Sequence, residues 1–203
     1  ISFNQSIGNW DVSQVTDMSY VFYKAISFNQ SIGSWDVSQV TDMSNVFYNA
    51  FSFNQDLSNW DTSRCLNFDS FFWDSKFNSY VLNWDVSKVT NMFGLFGGWR
   101  TVGPFNQELS EWDVSSCKTI GAMFQLAKEF NQSIGNWDVS QVTDMSYVFS
   151  EAISFNQSIG NWDVSQVTDM SYVFHKAFSF NQDLSNWDTS RCLSFNSFFW
   201  SSK

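Results

Sequence analysis

The chain has 203 residues, with 10 Lys and Arg against 20 Asp and Glu, 23 Phe, 11 Trp, one Pro and one His. An aromatic share of 20% is too high for a disordered acidic segment and demands a core, while a net charge of −10 argues against a nucleic-acid or anionic-membrane partner, which needs clustered Lys and Arg. No run approaches about 18 consecutive apolar residues, so no membrane span is expected in this segment, and no secretory leader opens it; Ile1 leaves room for an upstream targeting segment.

Trp-Asp occurs eight times, at Trp10, Trp35, Trp60, Trp84, Trp112, Trp137, Trp162 and Trp187, with spacings of 25, 25, 24, 28, 25, 25 and 25 residues. A fixed period of this size decides the architecture before any propensity argument, and it predicts eight stacked coils of one unit. Within the first coil, Phe3-Asn4-Gln5 predicts a turn in which Asn hydrogen-bonds its own or the neighbouring backbone. The alternation Trp10, Asp11, Val12, Ser13 predicts a short parallel strand, with Trp and Val inward and Asp and Ser outward. Thr16-Asp17 with Ser19 then predicts a cap, and Met18, Val21, Phe22 and Ala25, at spacings of three and four, predict a short helix. Ile7-x-x-Trp10-x-Val12 matches the L-x-x-L-x-L of leucine-rich repeats, and Val15 takes the slot that Cys65, Cys117 and Cys192 fill in other coils. The expected fold class is therefore α/β: a right-handed leucine-rich-repeat-like solenoid over 1–203, with one strand and one helix per coil. The Trp column and the two Phe columns read as core ladders.

Further along the chain, residues 1–76 reappear with few changes at 128–203, so that five coils, 1–127, make one super-repeat and 128–203 a partial second copy. The string FNQSIGNWDVSQVTDMSYVF is identical at 3–22, 130–149 and 155–174. Neither end shows the polar cap a free-standing array needs, which points to a segment of a longer array. The fourth coil departs from the pattern, with Ser79 in place of Gln and a longer segment after Phe96, and regular stacking is in question there.

The string W-D-V-S-x-V-T-D-M, followed by F-x-x-A and F-N-Q, resembles the mycoplasma-type surface-lipoprotein repeat, which is grouped with BspA-like leucine-rich-repeat surface proteins. The resemblance covers all eight coils. It implies a right-handed solenoid on secreted or cell-surface proteins, with adhesion or host-matrix binding, and it brings no catalytic residues.

Several constellations bear chemistry. Asp11, Asp36, Asp61, Asp85, Asp113, Asp138, Asp163 and Asp188 form a column whose mutual repulsion must be offset. Two readings stand side by side: backbone N–H groups of each carboxylate's own turn, or Ca²⁺ or another hard cation bridging neighbours. Sequons at Asn4, Asn29, Asn131 and Asn156 are candidate N-glycosylation sites, against an Asn ladder that also includes Asn54 and Asn181. The segment 97–104 adds three residues and carries the only Pro; Trp99 and Arg100 within it are of the types enriched in binding hot spots, against a plain surface loop. Cys65 and Cys117, two coils apart, exceed disulfide reach, so buried free thiols are expected. His175 takes the place of Tyr23 and Tyr48, which reads as a variable surface position. No nucleophile elbow, phosphate loop or metal-ligand cluster appears. The expected role is a non-enzymatic extracellular or cell-surface scaffold, self-associating or joining other surface proteins in a fibre, appendage or surface layer. The alternative is an adhesin that binds a host protein or glycan through one solenoid face.

Overall fold

The computed structural model describes residues 2–100 and 103–202. Successive repeats lie on one another in parallel register, as a chain of isolated parallel bridges records: Asp17 to Asp42, then on through Asn67, Asn91, Thr119, Asp144 and Asp169 to Ser194. One apolar core runs through the stack from Ile7 to Phe180.

The expected α/β class, with a strand and a helix in each coil, is overturned. Among the described residues there is no helix, and the only strand-like pairing is that single column of bridges. The predicted strand at Trp10–Ser13 is a corner closed by tight turns, with the Trp10 N–H on the Ile7 carbonyl and the Val15 N–H on the Val12 carbonyl. Coil-to-coil bonding at this corner is made by a side chain instead. From the second coil on, the Trp-Asp indole Nε1 donates to a carbonyl of the coil before it: Trp35 to Ile7 at 3.1 Å, Trp60 to Ile32 at 3.1 Å, Trp137 to Leu109 at 3.0 Å and Trp162 to Ile134 at 3.0 Å.

The predicted helix at Met18–Ala25 is a run of turns whose N–H groups point alternately outward and back. Met18, Tyr20, Phe22 and Lys24 donate to the carbonyls of Asp42, Ser44, Val46 and Tyr48 in the next coil, at 2.9, 3.0, 3.0 and 2.7 Å. Between them, Val21, Tyr23 and Ala25 donate to Met18, Tyr20 and Phe22 of their own coil. Such alternation requires a left-handed residue every fourth position, and Tyr20 (φ 61°) and Lys24 (φ 57°) supply it, as do Asn45 and Asn49, Tyr147 and Glu151, and Tyr172 and Lys176. A helix fails here for two reasons. It would bond all its N–H groups internally and leave none for the stack, and its width of about 10 Å exceeds the roughly 4.8 Å rise between hydrogen-bonded coils. The apolar spacing nevertheless reports facing correctly, because Met43, Val46, Phe47 and Ala50 are all buried.

Phenylalanines fill the interior as two interleaved columns. Phe47 stacks on Phe53, which opens the next unit, at 3.8 Å between ring centroids, and Phe28, Phe53, Phe130, Phe155 and Phe180 continue the column from coil to coil, the neighbouring rings of Phe28 and Phe53 lying 5.9 Å apart. Stacked rings add about 0.5–1.5 kcal/mol per pair beyond burial. Close packing also governs glycine placement. A Cβ on Gly135 would stand 2.3 Å from the Ser158 carbonyl oxygen of the next coil.

The fourth coil stays in register despite its irregularities. Ser79 takes over the missing Gln, its hydroxyl lying 3.2 Å from Asn54 Oδ1, and the Gly94 and Phe96 N–H groups reach Gly121 and Met123 above.

Candidate functional site

All eight Trp-Asp carboxylates are exposed and form one column, as expected. Each accepts the backbone N–H of the Ser two residues on, from Asp11 with Ser13 at 3.0 Å to Asp188 with Ser190 at 3.0 Å, and Asp36, Asp61, Asp85, Asp113, Asp138 and Asp163 do the same. The Ser hydroxyl and backbone bonds hold Asp11, Asp36, Asp85, Asp138 and Asp163 below the ordinary carboxylate range, and for Asp188 the backbone bond is the larger cause. Repulsion from the neighbouring carboxylate raises Asp36 and Asp163 by a smaller amount. Among the described residues, no group of three or more His, Cys, Asp or Glu side chains is placed to hold a metal ion. A second acidic column escaped the sequence reading. Asp17, Asp42, Asp144 and Asp169 receive the N–H of Ser19, Ser44, Ser146 and Ser171, each at 2.8 Å, and Asn67 replaces the carboxylate in coil three. Its signal was the D-x-S spacing, which repeats that of the first column.

The sequon asparagines Asn4, Asn29, Asn131 and Asn156 are exposed members of a ladder running through every coil. Each Oδ1 accepts twice from the next coil: Asn4 from the Asn29 N–H and the Gln30 amide at 2.9 and 3.0 Å, Asn131 from Asn156 and Gln157 at 2.9 and 3.1 Å. The same bonds join coils without a sequon, as from Asn181 to Asn156 at 2.9 Å. The F-N-Q motif is thus a coil-to-coil clamp. Asn29 and Asn156 sit directly above Asn4 and Asn131, at a rise of about 4.8 Å, which is too close for sugars on both members of a pair.

Cys65 and Cys117 are buried free thiols, pushed up to about 12 by burial, and Cys192 is a half-buried free thiol. Each thiol lies against a carbonyl two residues on, Cys117 against Thr119 at 3.2 Å. His175 is not a surface residue: it is 7% exposed, packs on Trp200 at 4.8 Å, and burial pushes its imidazole below the usual range.

The inserted segment brings together residues that are far apart in the chain. Asp74, buried and left-handed (φ 53°), accepts the N–H groups of both Trp99 and Arg100 on its Oδ1 at 2.9 Å, and the Gly103 N–H reaches the Ser75 carbonyl at 2.7 Å. Both ends of the insertion are therefore tied down onto the coil below. Trp99 remains 62% exposed while its edge contacts Trp73 at 5.5 Å and Tyr147 at 6.3 Å. It thereby joins an outer aromatic row that includes the Tyr23–Tyr48 pair at 4.9 Å and the Tyr147–Tyr172 pair at 4.6 Å. A cleft of about 350 Å³ opens beside it, lined by Lys24, Tyr48, Asn49, Asp74, Trp99 and Arg100. Burial raises the Tyr48 phenol, Tyr23 and Asp74 push it further up, and Lys24 and Arg100 pull it back. Trp99 and Arg100 were legible in the sequence. Their four companions were not, although columns offset by about 25 residues would have aligned Lys24, Asn49 and Asp74.

A family model described as "Mycoplasma protein of unknown function, DUF285" matches residues 1–103, 71–141 and 94–203. No curated protein matches, and no solved structure matches.

Proposed function

The chain belongs to the DUF285 family of mycoplasma proteins of unknown function, and on that premise we propose that it is a non-enzymatic rod segment of a cell-surface or extracellular repeat protein. It serves as the structural scaffold of a fibre, appendage or surface layer through association with its own copies. The observation that carries this reading is the redundancy of the coil-to-coil bonding. Backbone turns, indole Nε1 groups and the Asn-Gln clamp each join one coil to the next, from Met18 to Asp42, from Trp35 to Ile7 and from Asn29 to Asn4. Three parallel lines of bonds around one aromatic core resist bending and fraying in a way that a single ladder does not. The sequence investment goes into repetition of the frame, and the acidic columns on its outside keep such a rod soluble.

Electron microscopy of the native material tests this: filaments or sheets with lateral contacts repeating every five coils are expected. A monodisperse monomer in the native envelope or secretion, bound to a foreign partner, overturns it. The adhesin reading, a face turned toward a host protein or glycan, is favoured at one place only, the cleft beside Trp99 and Arg100. No helix among the described residues is long and apolar enough to cross a membrane.

A further inference from the structure

We infer that the cleft beside Trp99 is a binding site for an acidic sugar unit, a uronic or sialic acid within a glycan or polysaccharide. The inference rests on the binding-face reading of this cleft and is independent of the scaffold role. At about 350 Å³ the cleft lies at the small end of the roughly 300–1,000 Å³ of ordinary small-molecule sites, the size of one sugar unit of a longer chain.

Three features of its chemistry select the ligand. First, the chain has only 10 Lys and Arg against 20 Asp and Glu, yet Lys24 and Arg100, from coils one and four, converge on this cleft and both act on the Tyr48 phenol. The Asp74 carboxylate shares the lining but its Oδ1 is engaged by the Trp99 and Arg100 N–H groups, so two cations against one carboxylate leave an excess of positive charge that attracts an anion here on an otherwise acidic rod. Secondly, Trp99 presents an indole that is 62% exposed and braced by Trp73 and Tyr147, a platform for the apolar face of a pyranose ring. Thirdly, the Asn49 amide and the Tyr48 phenol stand beside these groups and offer the paired donor and acceptor that ring hydroxyls need. A free inorganic anion uses only the first feature and a neutral sugar only the last two.

The site is built in advance. Double donation from Trp99 and Arg100 to Asp74 holds the two binding residues before any ligand arrives, which lowers the ordering cost of binding. The cleft occurs once among the described coils. The insertion after Phe96 interrupts the 25-residue period once within residues 1–203, so the acidic-sugar site belongs to the fourth coil.

Isothermal titration with the intact chain decides the matter, using oligogalacturonate as probe and chito-oligosaccharide, inorganic sulfate and a poly-glutamate peptide as comparators. Saturable one-site binding of oligogalacturonate is expected, weakened about tenfold or more by Trp99→Ala and by Arg100→Gln. Both side chains are exposed, and an unchanged melting temperature shows that the frame is intact. Equal binding of chito-oligosaccharide, lost in Trp99→Ala, overturns the acidic ligand and keeps the binding face. Preferential binding of poly-glutamate through the same two residues does likewise, in favour of an acidic peptide. Competition by sulfate at equal concentration reduces the site to an anion hole and overturns the sugar. Absence of binding by every probe, or binding indifferent to both substitutions, removes the proposal and the binding-face reading together.

Discussion

A left-handed residue every fourth position makes these turns expensive, and the chain accepts that expense at Tyr, Lys, Ser, Ala, Leu and Glu as well as at Asn and Asp. Outside glycine each such residue costs roughly 1–2 kcal/mol, which persists only because the N–H groups released by the turns bond the next coil. Gly94 combines a left-handed backbone (φ 61°) with a closed site, since a Cβ would lie 2.4 Å from Trp73 Cε3. Gly94→Ala is expected to cost about 2 kcal/mol or more, read as a lower urea midpoint with unchanged slope. The carboxylates make a second prediction at this scale. Asp11, Asp36, Asp85, Asp138, Asp163 and Asp188 have folded values held below the usual range by Ser bonds. Their stabilisation is complete above the unfolded value near 4 and is lost as pH falls through the depressed folded values. Denaturation midpoints should therefore decline on acidification below about pH 4. A rise instead would show that repulsion along the column outweighs the hydrogen bonds.

At the scale of the element, the run of turns replaces both expected secondary structures. Far-UV circular dichroism should lack the paired helical minima, even though the Met18, Val21, Phe22, Ala25 spacing resembles a helix. A strong helical spectrum from the folded chain overturns the turn assignment. The corner makes a separate prediction. Trp137→Phe removes the Nε1 donor that bonds the Leu109 carbonyl at 3.0 Å, leaving that oxygen with the Trp112 N–H alone, and shrinks a side chain only 4% exposed. A loss of about 1–3 kcal/mol follows from the two effects, whereas the same change at Trp10, 59% exposed, should cost far less. Apolar periodicity told correctly which residues face inward here, because a four-residue turn repeat and a helix place nearly the same positions on one side. It was silent on where the N–H groups go. That choice depends on a neighbour about 4.8 Å away, which no local window contains.

Over the whole molecule, stability is carried by contacts between adjacent coils, and it should grow with their number. Inserting a copy of residues 128–203 in frame after 203 is expected to raise the urea midpoint without altering the spectrum per residue. An unchanged midpoint would mean that the coils are not coupled. Phe130, fully buried and stacked between Phe105 and Phe155, has no room to relax, and Phe130→Ala should cost about 3–5 kcal/mol. The eight-coil count, the inward Trp and Phe columns, the outward Asp column and the free thiols were all readable from the period. So were Trp99 and Arg100 as the place where the frame is interrupted. Repetition writes such facts directly, since a residue type that recurs at one phase must serve one environment.

Tertiary structure alone decided the rest. Leucine-rich spacing with Trp and Phe in its slots is compatible with a strand and a helix; local turns from Trp10 to Ile7 and from Val15 to Val12 replaced the strand, while the close rise between coils excluded the helix and alternated the N–H groups instead. It also turned the F-N-Q turn into a clamp on the coil below and buried His175 beneath Trp200. Lys24, Tyr48 and Asn49 met Trp99 and Arg100 in one cleft because stacking brings residues about 25 and 50 positions apart to the same edge. Composition and period determine what each column contains; only the stack determines which columns touch.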